Sequence, residues 1–166
     1  RLMRILGIDP GTLNLGYGVV DDGQEMRMVD YGVLSLSRYA RLEERLRSIY
    51  DGLSQIVAKH HPDEVAIEEP FAGRNIHSAL AIGRAQAIAI LVAANQRLPV
   101  HCYSPAQIKQ QVTSYGGSDK KQVQEMVRML LGLQESPQPS DASDALAVAI
   151  CHIQQSHLNK WLANKG

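Results

Sequence analysis

The sequence predicts an α/β domain whose sheet opens with three antiparallel strands. Three observations carry this reading. The first 36 residues hold three strand-like runs separated by tight-turn residues, Pro10-Gly11 and then Asp21-Asp22-Gly23-Gln24. The apolar period then changes to that of a helix between about Tyr39 and Lys59. From there a strand, a helix and a strand follow in turn, and three further helices close the chain. At 166 residues the chain is expected to form one domain, residues 1–166, with a core that needs neither disulfides nor structural metals.

The first strand is Met3 to Ile8, an apolar run that ends in a carboxylate, Asp9, directly before Pro10-Gly11. A charge at the end of a buried strand requires a partner. On this stretch alone a turn-capping Asp is as good a reading as a functional one. Leu15 to Val20 alternates as the returning strand, and Met26 to Leu36 is the third, rich in Val, Tyr and Leu. Leu42, Leu46, Ile49, Leu53, Ile56 and Val57 recur at spacings of four and three, one stripe along the first helix, which stops before Pro62. In Asp63 to Glu68, Val65 and Ile67 share one strand face, so Ala66 and Glu68 share the other and Glu69 points away from them. Gly7 and Ala66 each stand two residues before an acid, which is expected to leave room beside Asp9 and Glu68 for ions or a phosphate.

Pro70 to Asn75 reads as a loop with the chain's single Phe, Phe71, a candidate for stacking on an unpaired base and equally a core residue. Ile76 to Ala94 is a helix apolar nearly all round. It reads as wholly interior or shared with a second subunit, and not as a membrane span, because it contains Arg84 and Gln86. Pro99 to Tyr103 is a short strand, and Ser104-Pro105 caps and starts a helix that carries Lys109. After the break at Tyr115-Gly116-Gly117, Ser118 is expected to cap the next helix, with Lys120 and Lys121 in its first turn. Lysines are unfavourable at the positive end of a helix dipole, so they serve an anion or are tolerated as exposed side chains. Asp141 and Asp144 open the last helix on one face, where taken alone they make a capping pattern. The tail after about Leu158 is expected to fray.

Composition narrows the function classes. A hydrophobic share of 45% and a charged share of 20% fit a soluble globular domain, and the N-terminus lacks the apolar run of a signal peptide. Cys102 and Cys151 sit in apolar contexts and are expected to be buried reduced thiols of a cytoplasmic protein. No metal-type Cys/His spacing stands out, and the histidines, His77 and His101 included, read as surface or packing residues. A formal net charge of +0 means that any DNA-binding surface must segregate its positive charge. Lys109, Lys120, Lys121 and Arg128 are one candidate group; Arg38, Arg41, Arg45 and Arg47 read better as a solvated helix face.

Gly7-Ile8-Asp9-Pro10-Gly11, Gly16-Tyr17-Gly18-Val19, Ala66-Ile67-Glu68 with Phe71, and Asp141 through Ala147 stand in an order and at separations that resemble the RuvC family of bacterial Holliday-junction endonucleases. The likeness runs from Met3 to about His157. It implies a ribonuclease H-like fold with a mixed five-stranded sheet flanked by helices. It implies that Asp9, Glu68, Asp141 and Asp144 are catalytic, metal-binding acids, with Asp9 best placed to bridge two ions. Lys109 and Lys120 fall at the scissile phosphate, and Phe71 against bases opened at the junction, with Lys121 added to the DNA-binding set. Carboxylate oxygens suit Mg²⁺, with Mn²⁺ as substitute, and two such ions per subunit are expected, roughly 3.5–4 Å apart. The implied partners are four-way junction DNA, a second copy in a homodimer with Ile76 to Ala94 as the shared surface, and the branch-migration proteins RuvA and RuvB. The implied activity is phosphodiester hydrolysis that leaves a 5′-phosphate and a 3′-hydroxyl, with paired symmetric nicks.

Two other readings stay in view. The acids could serve only as caps in a non-catalytic junction-binding protein of the same fold. Gly7 through Thr12 also resembles the first phosphate loop of the actin and sugar-kinase ATPases, which need a second domain that this length does not provide.

Overall fold

The computed structural model describes residues 1–70, 73 and 75–166. The three N-terminal runs form β1 (Met3–Pro10), β2 (Asn14–Asp22) and β3 (Arg27–Ser35), joined by the short turns that the Pro-Gly and Asp-Asp-Gly residues favour. Two later strands follow helices: β4 (Glu64–Glu68) after α1 (Leu42–His60), and β5 (Val100–Tyr103) after α2 (Ile76–Asn95). The chain ends in α3 (Pro105–Thr113), α4 (Lys120–Leu130) and α5 (Ser140–Ala163). The strands make one sheet in the order β3-β2-β1-β4-β5. β1, β2 and β3 pair antiparallel, whereas β4 lies parallel to β1 and to β5, so the sheet is mixed.

Strand alternation splits the core in two. Leu6, Ile8, Val65 and Ile67 face α1 and α2, with Ile49, Leu53, Ala85 and Val92 packed against them. Ile5, Val20 and Ala66 face the other way, onto α5 and beyond it α3 and α4. Each fully buried Ile or Leu here contributes about 1.5–3 kcal/mol. α5 is the central helix of its layer, with Ala142, Ser143 and every residue from Ala145 to Ile153 buried, and it crosses β1 and β2.

Several local expectations are corrected. α1 starts at Leu42, not near Tyr39, because Glu44 accepts from the backbone N–H of Arg41 and closes the helix start there. α4 is capped by Asp119, whose carboxylate accepts from the Gln122 N–H; Ser118 is instead buried and accepts from the Thr113 hydroxyl. The tail is helical as far as Ala163, although its last turns are exposed. Cys151 is buried, but Cys102 is exposed, because β5 is an edge strand covered on one face by few neighbours. α2 is not wholly interior: Ile82, Ala85, Ala89, Val92 and Ala93 are buried, while Ile76, Leu80 and Leu91 stand at 82%, 50% and 48% exposure. It is also the one helix among the described residues that is long and apolar enough to cross a membrane.

Candidate active site

The parallel register sets Gly7 against Ala66 and Ile8 against Ile67. Asp9 and Glu68, one residue on, therefore emerge side by side at the carboxyl ends of neighbouring central strands. Because Ile8 and Ile67 point into the α1–α2 core, both acids point to the α5 side. What brings the other two acids in is the closeness of α5. A methyl group on Gly16 would overlap the carbonyl of Asp141, and one on Gly7 would overlap the carbonyl of Ala145 and stand 2.8 Å from the Ala149 nitrogen. Gly18 likewise has Leu146 where its side chain would be. The space beside Gly7 thus does not hold ions, as the sequence had led us to expect; it holds the backbone of α5, and Ala66 is fully buried beneath the same helix.

The first turn of α5 now sits over the strand ends. Its N-cap residue is Pro139, which has no side-chain acceptor, so neither Asp141 nor Asp144 is the capping residue of α5. Oxygens of Asp9, Asp141 and Asp144 lie within 4.8 Å of one another, and Glu68 lines the same cleft beside Asp9. At such separations each pair of ionised carboxylates repels by about 4 kcal/mol at an effective dielectric near 20. Burial, then the hydrogen bond and charge of Glu68, then the charges of Asp144 and Asp141 push Asp9 up to about 10. Burial also raises Asp144, against the opposing pull of Lys120. A group of acids that cannot all ionise by themselves, with only oxygen donors, fits a hard divalent cation.

These acids line a cleft of about 500 Å³, together with Lys109 and Lys120. Lys120 Nζ lies 3.1 Å from Asp144 Oδ2. Desolvation lowers its pKa, but the hydrogen bond to Asp144 and the charges of Asp144, Asp141 and Asp9 outweigh this and raise it. Lysine at the start of α4 therefore has its anion, and the dipole penalty is offset locally. Lys121, one residue on, faces away and lines a separate groove with Tyr115 and Met126. Phe71 lies outside the described residues. Of the arginines at α1, Arg41 pairs with Glu43 and Arg47 with Asp51, as on a solvated face, whereas Arg45 is half-buried and its Nε makes no hydrogen bond.

Two features were missed in the sequence. The N-terminal turn of α3, Pro105 and Ala106, forms part of the cleft wall, and the Ser104-Pro105 pair was the signal for a helix start there. The second is a cluster of Glu64, His101 and His152 at the opposite end of β4. Both histidines make polar contacts and are not bland packing residues. Nothing in their spacing, 37 residues to His101 and 51 more to His152, marks them as neighbours.

The sequence profile of the family described as "Crossover junction endodeoxyribonuclease RuvC" matches residues 5–152. A protein of that description from Dehalococcoides mccartyi strain BAV1 is 56% identical over 154 residues, 92% of this chain and 92% of its own. Another, from Dehalococcoides mccartyi strain 195, is 53% identical over 163 residues, covering 98% of this chain and 96% of that one. Among solved structures, Thermus thermophilus RuvC in complex with a Holliday junction substrate superposes with a TM-score of 0.90 at 34% identity, covering 95% of this chain and 96% of that chain.

Proposed function

Since the chain belongs to the RuvC family of crossover junction endodeoxyribonucleases, we propose that it resolves four-way DNA junctions by metal-dependent hydrolysis in the cleft of Asp9, Glu68, Asp141 and Asp144. The observation that carries this is the convergence of four acids from three separate elements into one cleft whose wall also holds Lys109 and Lys120. The four acids hold Mg²⁺, two ions per subunit, with Mn²⁺ able to substitute. Bound there, the ions supply Lewis acidity for attack by water and for the leaving 3′ oxygen, so that the products are a 5′-phosphate and a 3′-hydroxyl.

The chain's own groups then divide the rest of the work. Lys120, held over Asp144, is positioned to take a phosphate oxygen when the acids are neutralised by cations. Lys109 approaches from α3, whose N-terminal turn adds its dipole toward the same anion. Phe71 stacks on bases opened at the junction, and Lys121, outside the cleft, contacts the backbone further along the arm. A single domain over residues 1–166 suffices for one such site. Paired nicks on strands of like polarity need two, and a homodimer built on the outward face of α2, with Ile76, Leu80 and Leu91, supplies them. RuvA and RuvB, in the bacterial cytoplasm, are the partners that deliver the junction.

The test is Asp9→Asn. Mg²⁺-dependent cleavage of a synthetic four-way junction is lost, while binding of the same junction by gel shift is kept. Cleavage by the mutant at the wild-type rate would overturn the assignment.

A further inference from the structure

Glu64 is the first residue of β4, His101 lies on β5 and His152 on α5, and all three meet on the α5 side of the sheet. His152 Nε2 lies 2.8 Å from Glu64 Oε2, and His101 Nε2 lies 2.9 Å from that same oxygen. The two imidazoles stack, with centroids 4.2 Å apart and planes inclined by 25°. One donor atom from each residue falls within 4.8 Å of the others. His101 Nε2 is buried and, although only 2.9 Å from that oxygen, is not oriented to hydrogen-bond it, so a polar atom is aimed into the cluster without a hydrogen-bond partner.

We propose that Glu64, His101 and His152 form a second metal site, of two imidazole nitrogens and one carboxylate oxygen, that takes Zn²⁺ or a similar transition ion. The donor set differs in kind from the all-oxygen cleft. Two nitrogens and an oxygen suit borderline ions, in a three-ligand site with a position left for water, and they discriminate against Mg²⁺. The protonation states suit the role. Burial lowers the pKa of His152 more than Glu64 raises it, which favours the uncharged ring that a ligating imidazole presents. Tyr103 Oη stands 2.6 Å from His152 Nδ1 and, with its phenol pushed up to about 12 by burial, stays protonated. When Nε2 turns its lone pair to an ion, Nδ1–H donates to that phenol oxygen, the kind of outer hydrogen bond that orients a ligating histidine. The ion ties β4, β5 and α5 together about 13 Å along β4 from Glu68, as four residues of strand span. It therefore braces, at mid-length, the helix that carries Asp141 and Asp144.

The experiment is a titration of the chelator-treated full chain with Co²⁺ alone, in excess Mg²⁺ to fill the acidic cleft. One Co²⁺ per chain is expected to give the intense visible absorption of a low-coordinate nitrogen-containing site and to be displaced by Zn²⁺. Zn²⁺ also raises the melting temperature. His101→Gln, away from the acidic cleft, is expected to keep junction cleavage in Mg²⁺ while losing the absorption. Its Zn²⁺ affinity should fall by more than the roughly 10–100-fold that loss of an outer hydrogen-bond partner costs. No absorption in the wild type, or an absorption unchanged in His101→Gln, would show a hydrogen-bonded clamp only and overturn the site. Should the variant not fold, X-ray absorption of the wild type with one Zn²⁺ bound decides. Imidazole scattering supports the proposal, and an oxygen-only shell overturns it. None of these readouts depends on whether the acidic cleft cuts DNA.

Discussion

The two ends of β4 carry the same residue in opposite company. At its carboxyl end Glu68 meets Asp9, with Asp141 and Asp144 behind, and burial together with these neighbouring carboxylates pushes Asp9 up to about 10. At its amino end Glu64 meets two imidazoles, of which His152, backed by a phenol, is hydrogen-bonded to it while His101 stands 2.9 Å away. One helix, α5, completes both: Asp141 and Asp144 in its first turns, His152 two turns further on. From Asp144 to His152 is about 12 Å of helix, and from Glu64 to Glu68 about 13 Å of strand, so a helix laid on the strand reaches both clusters. The lesson is that the character of a buried acid is set by the neighbours that packing provides, not by its place on a strand.

The largest test of this contrast exchanges the two acids' charges one at a time. Glu68→Gln is expected to lower the junction cleavage rate about 10³-fold or more, the scale of several kcal/mol of metal-derived stabilisation, with little loss of thermal stability. Glu64→Gln should do the reverse, costing about 2 kcal/mol in urea unfolding and leaving cleavage in Mg²⁺ within tenfold of the wild type. Equal effects on cleavage would erase the distinction between the ends.

Next in size is the contact that serves both. Gly7→Ala puts a methyl group into the α5 backbone, with a stability loss of about 3 kcal/mol and a loss of cleavage from displacement of Asp141 and Asp144. A variant of wild-type stability by calorimetry would contradict the close packing. Within the cleft, Lys120→Ala should reduce cleavage about 10²-fold, as removal of one preorganised charge partner does, whereas Lys121→Ala should change the rate far less and mainly flatten the salt dependence of binding.

The smallest effect belongs to a third acid, at the Glu64 end of the sheet, whose charge is fully matched. Arg4 donates from Nε and Nη2 to the two oxygens of Asp21, at 2.7 and 2.9 Å across the β1–β2 pair. The hydrogen bond from Arg4 outweighs burial and holds the Asp21 carboxyl below its usual range. Its stabilisation is therefore present above the unfolded-state pKa of about 3.9 and is lost as pH falls through the lower folded value. Asp21→Asn should cost about 1–2 kcal/mol at pH 7, discounted for the partly exposed guanidinium, and the gap to wild type should close below about pH 3 in acid unfolding. A gap that widens on acidification would reverse the sign of the coupling.

Local chemistry made much of this readable in advance. The strand alternation around Ile67 separated Glu68 from Glu69, and the apolar stripe of α1 and the Ser104 cap of α3 hold as read. Readings failed where the deciding neighbour was distant in sequence. Gly7 looked like room for ions because the helix that fills it begins 133 residues later. Ser118 and Asp119 are both good caps, and the pull of Thr113 on Ser118 decided between them. Cys102 is apolar in context but lies on an edge strand.

The sequence by itself determined the order and type of the elements and singled out the four acids that meet in the cleft, because periodicity, turn residues and motif spacing are properties of contiguous chain. Tertiary structure alone decided that α5 lies against Gly7 and Gly16, that Lys120 and not Lys121 enters the cleft, and that Glu64, His101 and His152 meet at all. Those are consequences of a parallel register and a helix crossing, which join residues that no local pattern relates.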